Sequence, residues 1–189
     1  MTGSAVQIAL LRGVMPTGKN RVPMAELRAL LEDLGFGGAR TLISSGNAVF
    51  RSAGPAGAEL EALLEREIAA RIGPELDVMV RDQAAWSAMM AQNPFPEDAA
   101  QRPDKLLATV LKGAPSEEGA RAFEALVVPP GKAKVIGDTA WIVFTAADSL
   151  SKLTPAAYRR TLGVSGTGRN WNTVVKLKAL AAEVGAAGE

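Results

Sequence analysis

The chain has 189 residues, of which 48% are hydrophobic and 22% charged, and 21 basic and 20 acidic side chains give a net charge of +1. These values are ordinary for one large or two small globular domains, and the charge balance argues against a dedicated duplex-DNA-binding protein. The sequence contains no cysteine and no histidine, which excludes disulfides, thiolate nucleophiles, Ser-His-Asp triads and nearly all zinc sites. Any catalysis would depend on carboxylates, Lys, Arg, Tyr158, hydroxyls or a carboxylate-bound hard metal ion.

The first 81 residues predict the element order β-α-β-β-α-β of a ferredoxin-like fold. Leu27, Leu30, Leu31 and Leu34 recur at helical spacing and indicate a helix with one buried face. The predicted elements are a strand at 6–12, a helix from Pro23 to Leu34, strands at 40–44 and 48–51, a helix at 56–72 and a strand at 76–81.

The second half of the sequence repeats part of this order. Lys112-Gly113 ends a strand as Arg12-Gly13 does, so we interpret the pattern as an internal duplication, with two unrelated α+β halves as the alternative. The predicted elements are a linking helix at 82–91, a break at 93–96, a strand at 105–112, a helix at 116–126, strands at 134–136 and 140–145, and helices at 154–162 and 171–183.

The predicted fold is therefore α+β, with two ferredoxin-like (βαββαβ-type) halves and C-terminal helices. The N-terminal apolar run is short and no basic segment precedes it, which predicts neither a signal peptide nor a membrane span and favours a cytoplasmic protein. The expected parts are a ferredoxin-like half at 1–81, a linking helix and Pro-rich connection at 82–104, a second βαββ half at 105–153, and helices with a tail at 154–189.

The loop between Gly13 and Pro23 is longer than its counterpart in the second half. Nine residues lie in it, whereas Ala114 alone lies between Gly113 and Pro115. Extra ordered loops on a rigid scaffold are frequent places for function. The segment 13–20 nearly matches the phosphate-binding P-loop, but Asn20 stands where that motif requires Ser or Thr. We therefore do not interpret it as a nucleotide-hydrolase motif.

A first cluster of polar residues is predicted at one edge of the first sheet, where the first strand ends, the hairpin turns and the first helix begins. Donors gathered there suit a phosphate, a carboxylate or a nucleic-acid backbone. The alternative is a solvated basic loop beside an ordinary turn. The candidate residues are Arg12, Lys19, Asn20, Arg21, Ser45 and Asn47.

A second cluster opens the last predicted helix, at 167–173. Arg169, Asn170 and Asn172 could present hydrogen-bond donors, with Trp171 as a stacking surface. The alternative is a helix cap followed by a packed tryptophan. No carboxylates occur at a spacing typical of a metal site, so no metal and no cofactor are predicted.

Six segments of the sequence form a recognisable set, namely 8–13, 18–20, 24–28, 34–36, 45–47 and 169–173. Together they resemble the bacterial family catalogued as domain of unknown function 1697. The resemblance implies an α+β fold and assigns no catalytic residue. The chain departs from the family at 14–17, which reads Val-Met-Pro-Thr where the family often has Ile-Asn-Val-Gly, and at Ser44, where Gln is frequent.

Three hypotheses follow, and the question of enzyme activity stays open. The first is a non-enzymatic protein that binds a phosphate-bearing ligand, either a nucleotide or a nucleic-acid backbone. The second is an enzyme on a phosphorylated small molecule, which a carboxylate at the same sheet edge would favour. The third is a protein-interaction module without a ligand.

Overall fold

The computed structural model describes residues 4–42, 46–144 and 153–188. Within these ranges the strands form two four-stranded antiparallel sheets, each accompanied by helices. The strands are β1 (Ala5–Leu11), β2 (Gly37–Thr41), β3 (Asn47–Ser52), β4 (Val78–Asp82), β5 (Leu106–Leu111), β6 (Lys132–Ile136), β7 (Thr139–Val143) and β8 (Gly166–Asn170). The helices are α1 (Met24–Asp33), α2 (Gly57–Arg71), α3 (Gln83–Ala91), α4 (Pro96–Gln101), α5 (Glu117–Glu124), α6 (Pro155–Leu162) and α7 (Trp171–Ala186).

The contacts divide the chain into unit 1, residues 1–88 and 176–189, and unit 2, residues 89–175. In unit 1 the chain order is β1-α1-β2-β3-α2-β4 and the sheet order is β2-β3-β1-β4. Alternate residues of β1 point to opposite faces, and Leu11 lies on the face whose core includes Leu31 of α1 and Leu64 of α2. The stacked rings of Phe36 and Phe50, 4.8 Å apart, belong to the same core.

Unit 2 repeats this architecture with β5-α5-β6-β7-α6-β8 in the chain and β6-β7-β5-β8 in the sheet. Its core joins Leu111 of β5 to Phe123 of α5 and Leu162 of α6. The ring of Tyr158 meets that of Phe123 edge-on at 4.9 Å. The α+β class and the two similar halves predicted from the sequence are confirmed.

The two sheets correspond down to single backbone hydrogen bonds. The last residue of the first strand in each half bonds to the hairpin turn, and the following residue bonds to the residue before the fourth strand. The matched bonds are Leu11 to Gly46 (2.8 Å) with Leu111 to Asp138 (2.9 Å), and Arg12 to Asp77 with Lys112 to Ser165 (2.9 Å each).

The fourth strands therefore align residue by residue. Leu11 faces Val78 in β4, and Leu111 faces Gly166 in β8. The aligned pairs are Val78 with Gly166, Val80 with Gly168, Arg81 with Arg169 and Asp82 with Asn170.

The strand β8 corrects the sequence analysis, which assigned 154–189 to helices and a tail. The segment Gly166–Asn170 contains two glycines and no aromatic residue, so its local sequence does not indicate a strand. It becomes one because every residue of the segment pairs with β5, from Leu107 to Leu111. A Cβ on Gly166 would lie 2.5 Å from Cδ2 of Leu111, so the glycine leaves room for that leucine side chain of β5.

Smaller differences concern the boundaries of the elements. The predicted Pro-rich connection contains the short helix α4, which Pro96 begins because a helix's first position needs no N–H donor. The strand β2 begins at Gly37 rather than at residue 40. The predicted division after residues 81, 104 and 153 differs from the two units above, since unit 1 continues to Ala88 and takes up the chain again at Lys176.

The last helix, α7, belongs to unit 1 from Lys176 onward. There Arg40 Nη1 lies 2.7 Å from Glu183 Oε2, and Arg51 Nη1 donates to the carbonyl of Val184 at 2.8 Å. A cation at the end of a helix also favours its dipole. In the portion of the chain that the structure describes, no helix is both long and apolar enough to cross a bilayer.

Candidate functional site

The long loop after β1 is folded back on itself. The N–H of Met15 donates to Asn20 O at 3.1 Å, and the N–H of Arg21 donates to Gly18 O at 3.2 Å. Asn20 Nδ2 lies 3.5 Å from Gly13 O. The sequence-predicted residues Lys19, Asn20 and Arg21 are therefore held together by bonds within the loop.

The cations of the first cluster differ in how they are paired. Arg12 Nη1 forms an ion pair with Asp77 Oδ2 at 3.0 Å, so its charge is compensated. Lys19 and Arg21 are exposed, and neither side chain has a hydrogen-bond or ion-pair partner within residues 4–42, 46–144 and 153–188. These two cations provide the net positive charge of the loop.

The helix α1 begins directly after this loop, as the sequence analysis expected. Pro23 is its N-cap residue and no side chain caps it, so the first-turn amides contribute partial positive charge. Glu26 in the same turn opposes an anion. The helix starts at Met24, five residues after Lys19, whereas the lysine of a P-loop stands where the helix begins.

The hairpin turn lies against the end of β1. Gly46 has φ +76°, and a Cβ there would lie 2.7 Å from Cγ2 of Val14, so glycine is required for conformation and for space. Asn47 is fully buried, and its Nδ2 donates to Leu42 O at 3.0 Å. The Asn47 side chain thus stabilises the hairpin and is not exposed to bind a ligand. The predicted residue Ser45 lies outside the described residues.

Asp77 is a residue of this edge that the sequence analysis missed. It immediately precedes β4, and its backbone oxygen also accepts from the N–H of Arg12. Its side chain is 39% exposed. The only sequence signal for its position is the internal duplication, which aligns it with Ser165.

The second cluster belongs to unit 2, and its contacts are those of a helix start. Asn170 Oδ1 accepts from the N–H of Thr173 at 3.0 Å and so caps α7. The half-buried Trp171 has its ring centroid 6.0 Å from that of Trp141. Asn172 is exposed in the first turn.

Arg169 runs along the outer edge of β8. Its Nη1 donates to Thr167 Oγ1 at 2.8 Å and to Gly168 O at 2.9 Å. Burial lowers the pKa of the Arg169 guanidinium to about 10, so the group keeps its positive charge at neutral pH.

A buried carboxylate elsewhere in unit 2 is structural. Asp98, 3% exposed, is 2.6 Å from Arg102 Nη2 and 2.7 Å from Lys132 Nζ. The hydrogen bond from Lys132 and that from Arg102 lower the pKa of the Asp98 carboxyl. Both oxygens are thus occupied by cations of the same unit. No group of three or more acidic residues that could hold a metal ion occurs among the residues described.

The model of the family described as protein of unknown function (DUF1697) matches residues 5–141, more than two thirds of the chain. The chain belongs to this family. The resemblance drawn from the sequence motifs is thereby confirmed, although the match ends before the 169–173 segment. The part of the first cluster that the structure describes, from Arg12 to Asn47, lies within the matched region of DUF1697.

A solved structure shares the fold of this DUF1697 chain. It is described as that of conserved bacterial protein SP0830 from Streptococcus pneumoniae, with 22% sequence identity and a TM-score of 0.72. The alignment covers 95% of this chain and 99% of that one. At this level of identity the likeness shows the fold alone. No match was found among curated protein sequences.

Proposed function

We propose that this protein binds a phosphate-bearing ligand, a nucleotide or a nucleic-acid backbone, at the loop 12–21. The observation that supports this most is the pair of exposed cations, Lys19 and Arg21, on a loop ordered by its own hydrogen bonds. Because the loop is already ordered, binding does not have to fix its backbone first. Phosphate oxygens accept readily from Lys and Arg, and the uncapped start of α1 adds partial positive charge beside them.

The exposure of the loop favours an extended phosphate backbone over an enclosed ligand. Met15 at the loop is 54% exposed, and the residues from Met15 to Lys19 are all exposed. Arg12 has a smaller role in the proposal, since Asp77 compensates its charge. Two free cations predict weak binding with a shallow dependence on salt.

Fluorescence anisotropy with a labelled single-stranded oligonucleotide tests the proposal, with competition by ADP and by inorganic phosphate. Two phosphate contacts predict a slope of about −1.4 for log K against log salt, falling to about −0.7 in Lys19→Ala. The double variant Lys19→Ala/Arg21→Ala should lose binding. The matched control is Lys176→Ala/Lys178→Ala, which removes two exposed lysines of α7. Equal losses in both double variants would show that net charge alone, not the loop, carries the binding.

One observation favours an enzyme as the second candidate function. Asp77 supplies a carboxylate beside Arg12 at the same edge, and a carboxylate is the general base that a histidine-free protein has available. The test is phosphate release from a panel of phosphorylated small molecules. Asp77→Asn should abolish release without weakening ligand binding, since the change removes a negative charge and the amide oxygen can still accept from Arg12. Absence of release by the unaltered protein would exclude this candidate for that panel.

A further inference from the structure

In unit 1, carboxylates of α2 accept hydrogen bonds from the outer edge of β4. Along an antiparallel edge strand, every second residue directs its N–H away from the sheet. In β4 these residues are Val78 and Val80, whose N–H groups donate to Glu65 Oε1 at 2.8 Å and Glu61 Oε1 at 2.9 Å. Arg81 Nη1 lies 3.6 Å from the same oxygen of Glu61. Two amides and a guanidinium thus bind two carboxylates.

The aligned edge of β8 in unit 2 presents two outward amides at the same positions, and the helix aligned with α2 offers them no carboxylate. Gly166 and Gly168 occupy the positions of Val78 and Val80, so their N–H groups point outward. The residues are partly exposed, and these two N–H groups have no hydrogen-bond partner within 4–42, 46–144 and 153–188. The helix α6, aligned with α2, reads PAAYRRTL and contains no acidic residue.

The two edges also have an arginine at the same aligned position. Arg169 aligns with Arg81, and its hydrogen bond to Gly168 O holds the guanidinium beside the outward amide of that glycine. A carboxylate that accepts from Gly168 would therefore also face a positive charge, as Glu61 faces Arg81 in unit 1.

We propose that the edge of β8 binds a ligand with two carboxylates, held by the N–H groups of Gly166 and Gly168 and by Arg169. Unit 1 supplies the reason for choosing this chemistry, because carboxylates satisfy the same donor positions there. The site is independent of the loop 12–21 and of the phosphate proposal.

The geometry also sets the spacing of the two carboxylates. Amides two residues apart on a strand are about 6.7 Å apart. The carboxylates of Glu61 and Glu65 come from residues about 6 Å apart along α2. A six-carbon dicarboxylate matches this spacing, and so does an extended peptide with glutamates at alternate positions. Both present the same chemistry.

Amide NMR of the ¹⁵N-labelled full chain tests the proposal residue by residue. The probes are adipate and the peptide acetyl-Glu-Ala-Glu-amide, with 1,6-hexanediol and the corresponding Gln peptide as uncharged controls. We expect the Gly166 and Gly168 cross-peaks to move with at least one acidic probe, while those of Val78 and Val80 stay in place because their N–H groups are already bonded. The tighter probe identifies the free or the peptide-borne source of the carboxylates.

Variants separate this site from the loop. Arg169→Gln should raise the Kd of the acidic probe by about tenfold or more, Arg169→Lys by less, and Lys19→Ala should leave it unchanged. The unperturbed remainder of the spectrum checks that each variant is folded. The proposal is overturned if neither probe moves the two glycine cross-peaks, if Arg169→Gln binds as well as the unaltered protein, or if inorganic phosphate moves these peaks as strongly as the dicarboxylate does.

Discussion

The two halves have the same strand order, but they differ in what the outward N–H groups of their fourth strands, β4 and β8, bind. In the first half, the carboxylates of Glu61 and Glu65 close the edge of β4, and Arg81 compensates the buried charge. In the second half, the edge strand β8 contains Gly166 and Gly168, and its outward amides meet no acidic residue of α6. The comparison teaches that sheet topology leaves the chemistry of an edge free to differ.

The two halves also differ in the side chains at aligned positions of the central and edge strands. The first half places Gln7 on β1 and Val80 on β4 at aligned positions, whereas the second half places Leu107 on β5 and Gly168 on β8. A Cβ on Gly168 would overlap Cδ2 of Leu107. The glycine of the edge strand therefore leaves room for the Leu107 side chain of the central strand.

Among the variants that test this comparison, removal of a carboxylate that binds the β4 edge should change the free energy of unfolding most. Glu61→Ala leaves the N–H of Val80 and the charge of Arg81 without this carboxylate in a buried place, the side chains of Glu61 and Arg81 being 7% and 15% exposed. The expected loss is about 3–5 kcal/mol in the free energy of unfolding, measured with urea. Glu59→Ala, at an exposed position of the same helix, should change it by less than about 0.5 kcal/mol. Similar losses in both variants would contradict the role given to Glu61.

The close packing of Leu107 against Gly168 can be tested by substitution at the glycine. Gly168→Ala should cost about 1–3 kcal/mol through overpacking against Leu107. Gly113→Ala is the control, because a Cβ there meets nothing within 4 Å. Adding Leu107→Ala to Gly168→Ala should cost less than the sum of the two single changes, since the shorter side chain makes room. Strict additivity in a double-mutant cycle would show that the two residues do not share this space.

The stability of the second half should also depend on pH through one residue, the buried Asp98. Asp98→Asn should lower stability by about 1–2 kcal/mol at neutral pH through lost charge-assisted bonds to Lys132 and Arg102. Because the folded-state pKa of Asp98 lies below its ordinary 3.8, this contribution is present above that value and is lost as the pH falls through the depressed pKa. The difference between the unaltered protein and Asp98→Asn should therefore be constant near neutral pH and shrink in acid. A difference that grows in acid would contradict the assigned sign.

Substitution of the helix-capping residues that follow β4 and β8 should change the free energy of unfolding least. The two losses should also be similar in the two halves. Asp82 Oδ1 accepts from the N–H of Ala85 at 2.7 Å, as Asn170 Oδ1 accepts from that of Thr173. Asp82→Ala and Asn170→Ala should each cost about 1 kcal/mol in urea unfolding. Asn170→Asp should keep the cap and gain a few tenths of a kcal/mol from the helix dipole, by an amount that salt reduces. A loss in Asn170→Asp equal to that in Asn170→Ala would contradict the capping role.

Much of the fold and part of the candidate site could be predicted because their signals are local. The leucines of α1 recur at helical spacing, Gly46 requires a turn, and the strand-ending pairs Arg12-Gly13 and Lys112-Gly113 reveal the repeat. The gathering of Lys19 and Arg21 on one loop follows from their closeness in sequence. The pairing of Arg12 with Asp77 does not, because 65 residues separate them and only the pairing of β1 with β4 brings them together.

The sequence by itself determined the α+β class, the repeat of the two halves and the residues that lie on the basic loop, because periodicity, turn residues and chain proximity act over a few residues. Only the tertiary structure decided that Gly166–Asn170 is a strand, that Asn47 is buried and that the amides of β8 point outward. Each of these depends on which strand lies alongside, and a strand's neighbour is set by pairing and side-chain volume across the whole half.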